Sequence, residues 1–179
     1  MFILGICGYK KSGKDEVCNV LIRHLLPKSV LRVGFADALK EEVAKACGVT
    51  VQFIEDNKEN FRLILQGYGT DFRRNLHGED YWTLKLLHKL NKLPESTHLV
   101  IVPDVRFHNE ASVIIAAGGV IWRVVRPTGD GHLDTHVSET NIMNLPFSEQ
   151  IENSWNLEGL KRLVIDKWNK NYGQLYSTK

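Results

Sequence analysis

The sequence predicts an α/β domain on a central, mostly parallel sheet of about five strands. Three features predict it. Short runs with the length and composition of strands recur along the chain, apolar in Phe2–Cys7 and β-branched in Val120–Val125. Segments with apolar residues at helical spacing lie between them. Gly, Pro or Asp marks most of the handovers. Strand and helix alternating in this way specify parallel strands joined by right-handed crossovers, with helices on both faces of the sheet.

Taken in order, Phe2–Cys7 is a continuous apolar run that ends at Gly8, as a central strand covered on both faces should. From Ser12 to Leu26 apolar residues fall at 17, 18, 21, 22, 25 and 26, and Pro27 stops the helix. Val30–Ala36 reads as a second strand, with Asp37 as N-cap of a helix that ends at Gly48. Residues 49–57 are ambiguous. Asn57–Asn75 reads as a long helix with the apolar stripe Phe61, Leu65, Tyr68, Phe72 and Leu76, weakened by Gly67 and Gly69 and broken at His77-Gly78. Glu79–Leu90 is a further helix, His98–Val102 a buried strand closed by Pro103-Asp104, and 107–117 a helix ended by Gly118-Gly119. Val120–Val125 is a β-branched strand, 127–147 an irregular segment that suits a short lid, Gln150–Asn153 a last strand and Leu157–Asn169 a last helix. This makes one domain over residues 1–170, with a frayed tail at 171–179.

Composition narrows the class. The chain has 179 residues, enough to bury a core without disulfides. Lys and Arg number 23 against 21 Asp and Glu, a net charge of +2 that gives no electrostatic case for nucleic acid as partner. Cys7, Cys18 and Cys47 show no C-x-x-C spacing and an odd count, which fits a reducing compartment, the cytoplasm, rather than a disulfide or zinc framework. The apolar start lacks a basic leader, and no run approaches the ~20 residues of a membrane span.

The strongest chemical signal is Gly8-Tyr9-Lys10-Lys11-Ser12-Gly13-Lys14-Asp15, placed between an apolar strand and an amphipathic helix. It matches G-x-x-x-x-G-K and lacks only the final Ser/Thr. Glycines let backbone N–H groups curl around phosphate oxygens, and the helix N-terminus adds unsatisfied donors and partial positive charge. Lys14 can reach the outer phosphates. Asp15 stands where a hydroxyl usually ligates Mg²⁺, and a carboxylate is a competent ligand for a hard cation. The nucleotide-binding set is Gly8, Lys10, Lys11, Ser12, Gly13, Lys14, Asp15 and Glu16.

Several further segments follow in order: Phe35-Ala36-Asp37-Ala38-Leu39-Lys40, Leu65–Asp71 with Gln66 and Thr70, Tyr81-Trp82, Val102–Arg106, Glu110, Val124–Pro127 and Asp134-Thr135-His136-Val137-Ser138-Glu139. With the Gly-Lys-Asp loop, they make the chain resemble the deoxynucleoside monophosphate kinases of tailed bacteriophages and related bacterial proteins. That family belongs to the P-loop nucleoside monophosphate kinase group. The resemblance spans about residues 1–160 and implies a three-layer P-loop NTPase fold. It implies ATP and Mg²⁺ as cofactors, a nucleoside monophosphate as the small-molecule partner, and the host cytoplasm as location if the chain is phage-encoded. It also allows a homodimer.

Such a kinase needs a second anion site of Arg and Lys facing the phosphate loop. The acceptor-binding helices are those over about 57–92. Lys58, Arg62, Gln66 and Thr70 follow one another at intervals of four on a polar helix face. Arg62 can clamp a phosphate bidentately, and Gln66 and Thr70 can hydrogen-bond a base or sugar. Lys58, Arg73 and Arg74 fit either that site or a solvated face. Trp82 is either a core residue or a platform for the acceptor base. Asp104, just past a buried strand at the sheet's carboxyl edge, joins Asp15 as a metal candidate. Arg106 and Glu110 form a surface pair on spacing alone; the resemblance assigns them to the acceptor. Arg126, before the lid, is a candidate for neutralising charge on the moving phosphoryl group, so the catalytic set is Lys14, Asp15, Arg62, Arg106 and Arg126. Asp37 and Lys40 are a cap and a surface lysine, or lie near the acceptor phosphate in the family-like reading. Two rivals remain: a P-loop kinase of another phosphorylated metabolite, and a non-catalytic nucleotide-binding protein.

Overall fold

The run FILGIC forms β1 (Phe2–Cys7), and all of it except Phe2 is buried, because strands pair on both sides and helices cover both faces. The computed structural model describes residues 1–25, 30–127, 141–154 and 156–176. The elements that follow β1 are α1 (Lys14–Leu25), β2 (Val30–Arg32), α2 (Phe35–Cys47), α3 (Val51–Asp56) and α4 (Lys58–Gln66). A π-helical segment (Gly67–Arg74) then leads through α5 (Asn75–His77) to α6 (Tyr81–Leu90), β3 (Leu99–Val105), α7 (His108–Ala116) and β4 (Val120–Val125). A 3₁₀ turn (Asn141–Asn144), β5 (Glu149–Glu152), α8 (Leu157–Tyr172) and a last 3₁₀ turn (Gly173–Tyr176) complete the described chain.

The five strands form one parallel sheet in the order β2-β3-β1-β4-β5. Alternation along each strand divides the core in two. Leu4 and Ile6 face α1 and α8, where they meet Leu21, Trp122 and Trp168. Ile3 and Cys7 face the opposite layer, with Val102, Ile114, Ile121, Trp82 and Leu86. A smaller cluster of Val43, Ala44 and Ile54 seats α3 and α4 against α2. The predicted three-layer α/β architecture is therefore present.

Several local expectations change. β2 stops at Arg32 because Gly34 already caps α2; Asp37 is not the N-cap but lies three residues inside, its carboxylate accepting the Gly34 N–H at 2.9 Å. β3 runs through Pro103 to Val105. Its register with β1 shifts between Gly5 and Cys7, and pairing with β2 ends at Ile101, so the missing N–H falls where the ladder is already interrupted. The ambiguous 49–57 stretch becomes α3, capped by the Thr50 hydroxyl, which accepts from Phe53 N at 3.0 Å. The predicted stripe holds for Phe61, Leu65 and Tyr68, but Phe72 and Leu76 are exposed. The helix widens to a π form at Gly67–Arg74, and 3.6-residue spacing no longer sets which face looks inward.

Of the tail expected at 171–179, residues 171–176 are helical and 177–179 lie outside the described residues. Tyr172 packs on Phe2 and Trp168 with ring centroids 5.5 and 5.3 Å apart. Most of the expected lid, including Asp134, His136, Ser138 and Glu139, lies outside the described residues. Among the described residues, no helix is long and apolar enough to cross a membrane.

Candidate functional site

The loop between β1 and α1 has the backbone that its glycines allow. Gly8 and Gly13 have φ of 151° and 100°, and Lys11 between them is also left-handed at 62°. At Gly8 a Cβ would stand 2.4 Å from the Val124 carbonyl oxygen, and at Gly13 it would stand 2.4 Å from Asn153 Nδ2. The loop is thus wedged between the carboxyl ends of β4 and β5. Asn153, buried just past β5, donates from Nδ2 to the Ser12 carbonyl at 2.9 Å and braces the loop from below. Lys14 folds back to donate to the Tyr9 carbonyl at 2.7 Å. Ser12 is buried, and its hydroxyl has no hydrogen-bond partner among the described residues. Glu16 points along α1 toward Arg23, 3.7 Å away.

Two contacts bring distant parts of the sequence onto this loop. Lys10 Nζ meets Glu59 Oε2 of α4 at 3.0 Å. The Lys10 hydrogen bond and charge hold the Glu59 carboxyl below the usual range, and Arg62 and Lys11 add to that pull. The first turn of α4 therefore reaches the loop through Glu59. Arg126 Nη1 comes within 3.5 Å of the Lys11 carbonyl oxygen, so the end of β4 delivers its guanidinium to the loop as well. Further along, Gln66 Nε2 is buried with no hydrogen-bond partner among the described residues, at the point where the helix widens, and Thr70 is half-buried one turn on.

Other expected site residues have structural partners. Asp104 accepts from Phe35 N at 3.0 Å and from Ala36 N at 2.7 Å, one amide on each oxygen, and so caps the N-terminus of α2. Lys40 forms an ion pair with Glu55, and Asp37 meets Lys89 Nζ at 3.3 Å. Trp82 is 4% exposed and donates its indole N–H to the Gly69 carbonyl at 2.9 Å. Its ring packs among Val33, Phe35 and Leu86 and holds the π segment against α6, so of the two readings the structure shows the packing role. Glu110 is likewise not a surface group open to substrate. It is 3% exposed, with Arg74 Nη2 at 2.5 Å from Oε1, while Oε2 accepts from Arg106 N at 2.8 Å and Phe107 N at 3.2 Å. Burial pushes its carboxyl up to about 7, against the pull of the Arg74 guanidinium and the two amides. Glu110 thereby fixes the turn that carries Arg106.

Sequence reasoning missed four participants or left them open. Arg32 Nη2 donates to Asp15 Oδ1 at 2.7 Å. Asn153 braces the loop. Arg74 is the buried partner of Glu110. Glu42 collects Arg73 Nε at 2.8 Å, Tyr81 OH at 2.6 Å, Lys85 Nζ at 3.1 Å and Tyr68 OH at 3.3 Å, and so joins α2, the π segment and α6. Arg32 and Asn153 lie at strand carboxyl ends, the rule that singled out Asp104 and Arg126, and could have been found by it. Arg73 belongs to the Glu42 cluster, and Lys58 lies 4.0 Å from Glu55.

A parallel sheet in this order with a Gly-Lys loop between β1 and α1 points to a class, the P-loop kinases. The comparisons agree. A protein from Thermus thermophilus, TT1252, superposes with a TM-score of 0.51 at 17% identity, over 95% of this chain and 97% of that one. Shikimate kinase from Aquifex aeolicus superposes with 0.50 at 15% identity, over 96% and 99%; at such identities both speak for the fold alone. The family model of deoxynucleotide monophosphate kinase matches residues 40–164, and the chain belongs to that family. An Acanthamoeba polyphaga mimivirus protein described as "Putative deoxynucleotide monophosphate kinase" is 29% identical over 166 residues, 81% of this chain and 84% of that protein.

Proposed function

We propose that the protein transfers the γ-phosphoryl group of ATP to a deoxynucleoside monophosphate, releasing ADP and the deoxynucleoside diphosphate. The observation that carries this reading is the Lys10–Glu59 contact. It ties the first turn of the helix that bears Arg62 and Gln66 to the phosphate loop, which supports reading that helix as the acceptor's side of the site.

Phosphoryl transfer asks a protein mainly for position and charge neutralisation. The loop amides and Lys14 hold the donor phosphates; when ATP enters, the Lys14 ammonium exchanges the Tyr9 carbonyl for a phosphate oxygen. Arg62 and Arg106 orient the acceptor phosphate, whose oxygen attacks the γ-phosphorus as the bond to the ADP oxygen breaks. Arg126, already at the loop, neutralises charge gathering on the transferred group. Gln66, whose buried donor has no partner among the described residues, hydrogen-bonds the acceptor nucleoside, and Thr70 assists.

The chemistry of the donor set fits Mg²⁺. Asp15 is an exposed carboxylate in the first turn of α1, and Ser12 has an orphaned buried hydroxyl beside it in the loop. Asp104 fits less well, since each of its oxygens already receives an α2 amide. Asp15 would therefore hold the cation, which supplies charge neutralisation for the phosphates when bound.

The test is coupled ADP release with ATP and Mg²⁺ across a panel of deoxy- and ribonucleoside monophosphates, with a no-acceptor control. Turnover with one or more deoxynucleotides is expected. ATP binding with no acceptor-dependent ADP release would refute the reading. Lys14→Ala should abolish turnover while the folded state persists by circular dichroism; activity near the parent's would remove the loop from the mechanism.

A further inference from the structure

The phosphate loop carries a charge problem that its more usual form avoids. A Ser or Thr hydroxyl after the loop lysine is neutral, whereas Asp15 places a full negative charge where a polyphosphate must bind. A second carboxylate, Asp104, lies near the carboxyl end of β3, the strand beside β2. Asp104 is answered by the two α2 amides. Asp15 is answered by Arg32, whose Nη2 lies 2.7 Å from Oδ1.

The pair adds little to folding. Its side chains are 47% and 66% exposed, and ion pairs that open to water are weak stabilisers. Its position gives it another use. Arg32 is the last residue of β2, at the carboxyl edge of the sheet, and reaches from there to the first turn of α1. An anion entering the loop therefore meets a neutral pair instead of a bare carboxylate.

We propose that Arg32 is a positioning and charge-setting residue of the donor site. It serves as counter-ion to Asp15 and so determines how strongly ATP binding depends on a divalent cation. This rests on the donor-loop reading given above. Arg32 acts through Asp15, not on the phosphates: a cation bound at Asp15 performs the same neutralisation and makes Arg32 dispensable.

The test is a double-mutant cycle on ATP binding, read by titration calorimetry without acceptor, once in EDTA and once in excess Mg²⁺. One uncompensated charge beside a solvent-exposed polyphosphate should weaken binding by about five- to tenfold. R32M is expected to lose that factor in EDTA and to lie close to the parent in Mg²⁺. D15S alone should bind metal-free ATP more tightly than the parent. D15S/R32M should recover what R32M lost, and R32K should keep most of the parent's affinity.

The Arg32 assignment is overturned if R32M matches the parent in EDTA. It is also overturned if R32M is equally weakened in both conditions with no recovery in D15S/R32M, for Arg32 would then be a direct phosphate ligand. Thermal melts check folding. Should R32M not fold, D15S decides: tighter metal-free binding supports the proposal, and unchanged or weaker binding overturns it. If the parent binds ATP in neither condition, the donor-site reading itself falls and this inference with it.

Discussion

Arg74→Met keeps most of the side chain's length and apolar stem but removes a guanidinium that is buried in three contacts. It pairs with Glu110 Oε1 at 2.5 Å, donates to the Glu79 carbonyl at 2.8 Å, and lies 3.9 Å over the Phe107 ring. The two paired side chains are 7% and 4% exposed, so water cannot replace the lost partner. Leaving one member of a buried ion pair alone costs about 3–5 kcal/mol. For a domain of this size that corresponds to a melting temperature lower by about 6–20 °C.

The effect should also depend on pH. Burial pushes Glu110 up to about 7 in the intact protein, from an ordinary value of 4.5, and without Arg74 it rises further. A carboxyl whose folded pKa exceeds its unfolded one stabilises the fold below the unfolded value, and that contribution is lost as pH rises through the folded one. In R74M the loss continues to higher pH than in the parent, so the gap in stability should widen from pH 6 to pH 8.5. Because Glu110 also holds the Arg106 and Phe107 amides, the Michaelis constant for the acceptor should rise more than that for ATP. Denaturant melts at the two pH values together with steady-state kinetics provide the test. A loss under 1 kcal/mol, or one that does not change with pH, would refute the argument.

Two other variants test the scaffold of the site. Asn153→Ala leaves the Ser12 carbonyl without its donor and should cost about 1–3 kcal/mol; ATP binding should weaken while the acceptor's Michaelis constant is unchanged, as two-substrate kinetics would reveal. Glu42 is pushed up by burial, but hydrogen bonds from Tyr81 and Lys85 and the Arg73 charge pull harder, and its carboxyl titrates below 4.5. A depressed folded pKa stabilises above the unfolded value and is lost as pH falls through the folded one, so Glu42→Gln should flatten the decline of melting temperature on acidification below pH 4.5.

The order of strands and helices was legible in the sequence because a central parallel strand must be apolar on both faces, as Phe2–Cys7 is, and because the β-branched run Val120–Val125 favours a strand even with Arg123 in it. The phosphate loop was legible for a related reason. Its backbone shape demands glycine at Gly8 and Gly13, and its lysine follows at a fixed offset. These are local requirements, and local requirements leave their marks at fixed spacings.

Tertiary structure decided the partners of the charged side chains. Spacing offers Arg106 and Glu110 as an i, i+4 surface pair, yet Glu110 is buried against Arg74, 36 residues away. It does not show that the Trp82 indole donates to the Gly69 carbonyl, 13 residues back, and so ties α6 to the π segment. It says nothing of Arg32 beside Asp15, or of Lys10 reaching Glu59, 49 residues on. A charge interacts with whatever the fold brings within a few ångströms. The π turn at Gly67–Arg74 also shifted the helix out of phase with its own sequence pattern. The sequence by itself determined the sheet, the loop and the inventory of cations; only the folded chain determined which of those cations face the phosphate loop and which are tied to carboxylates that hold the scaffold.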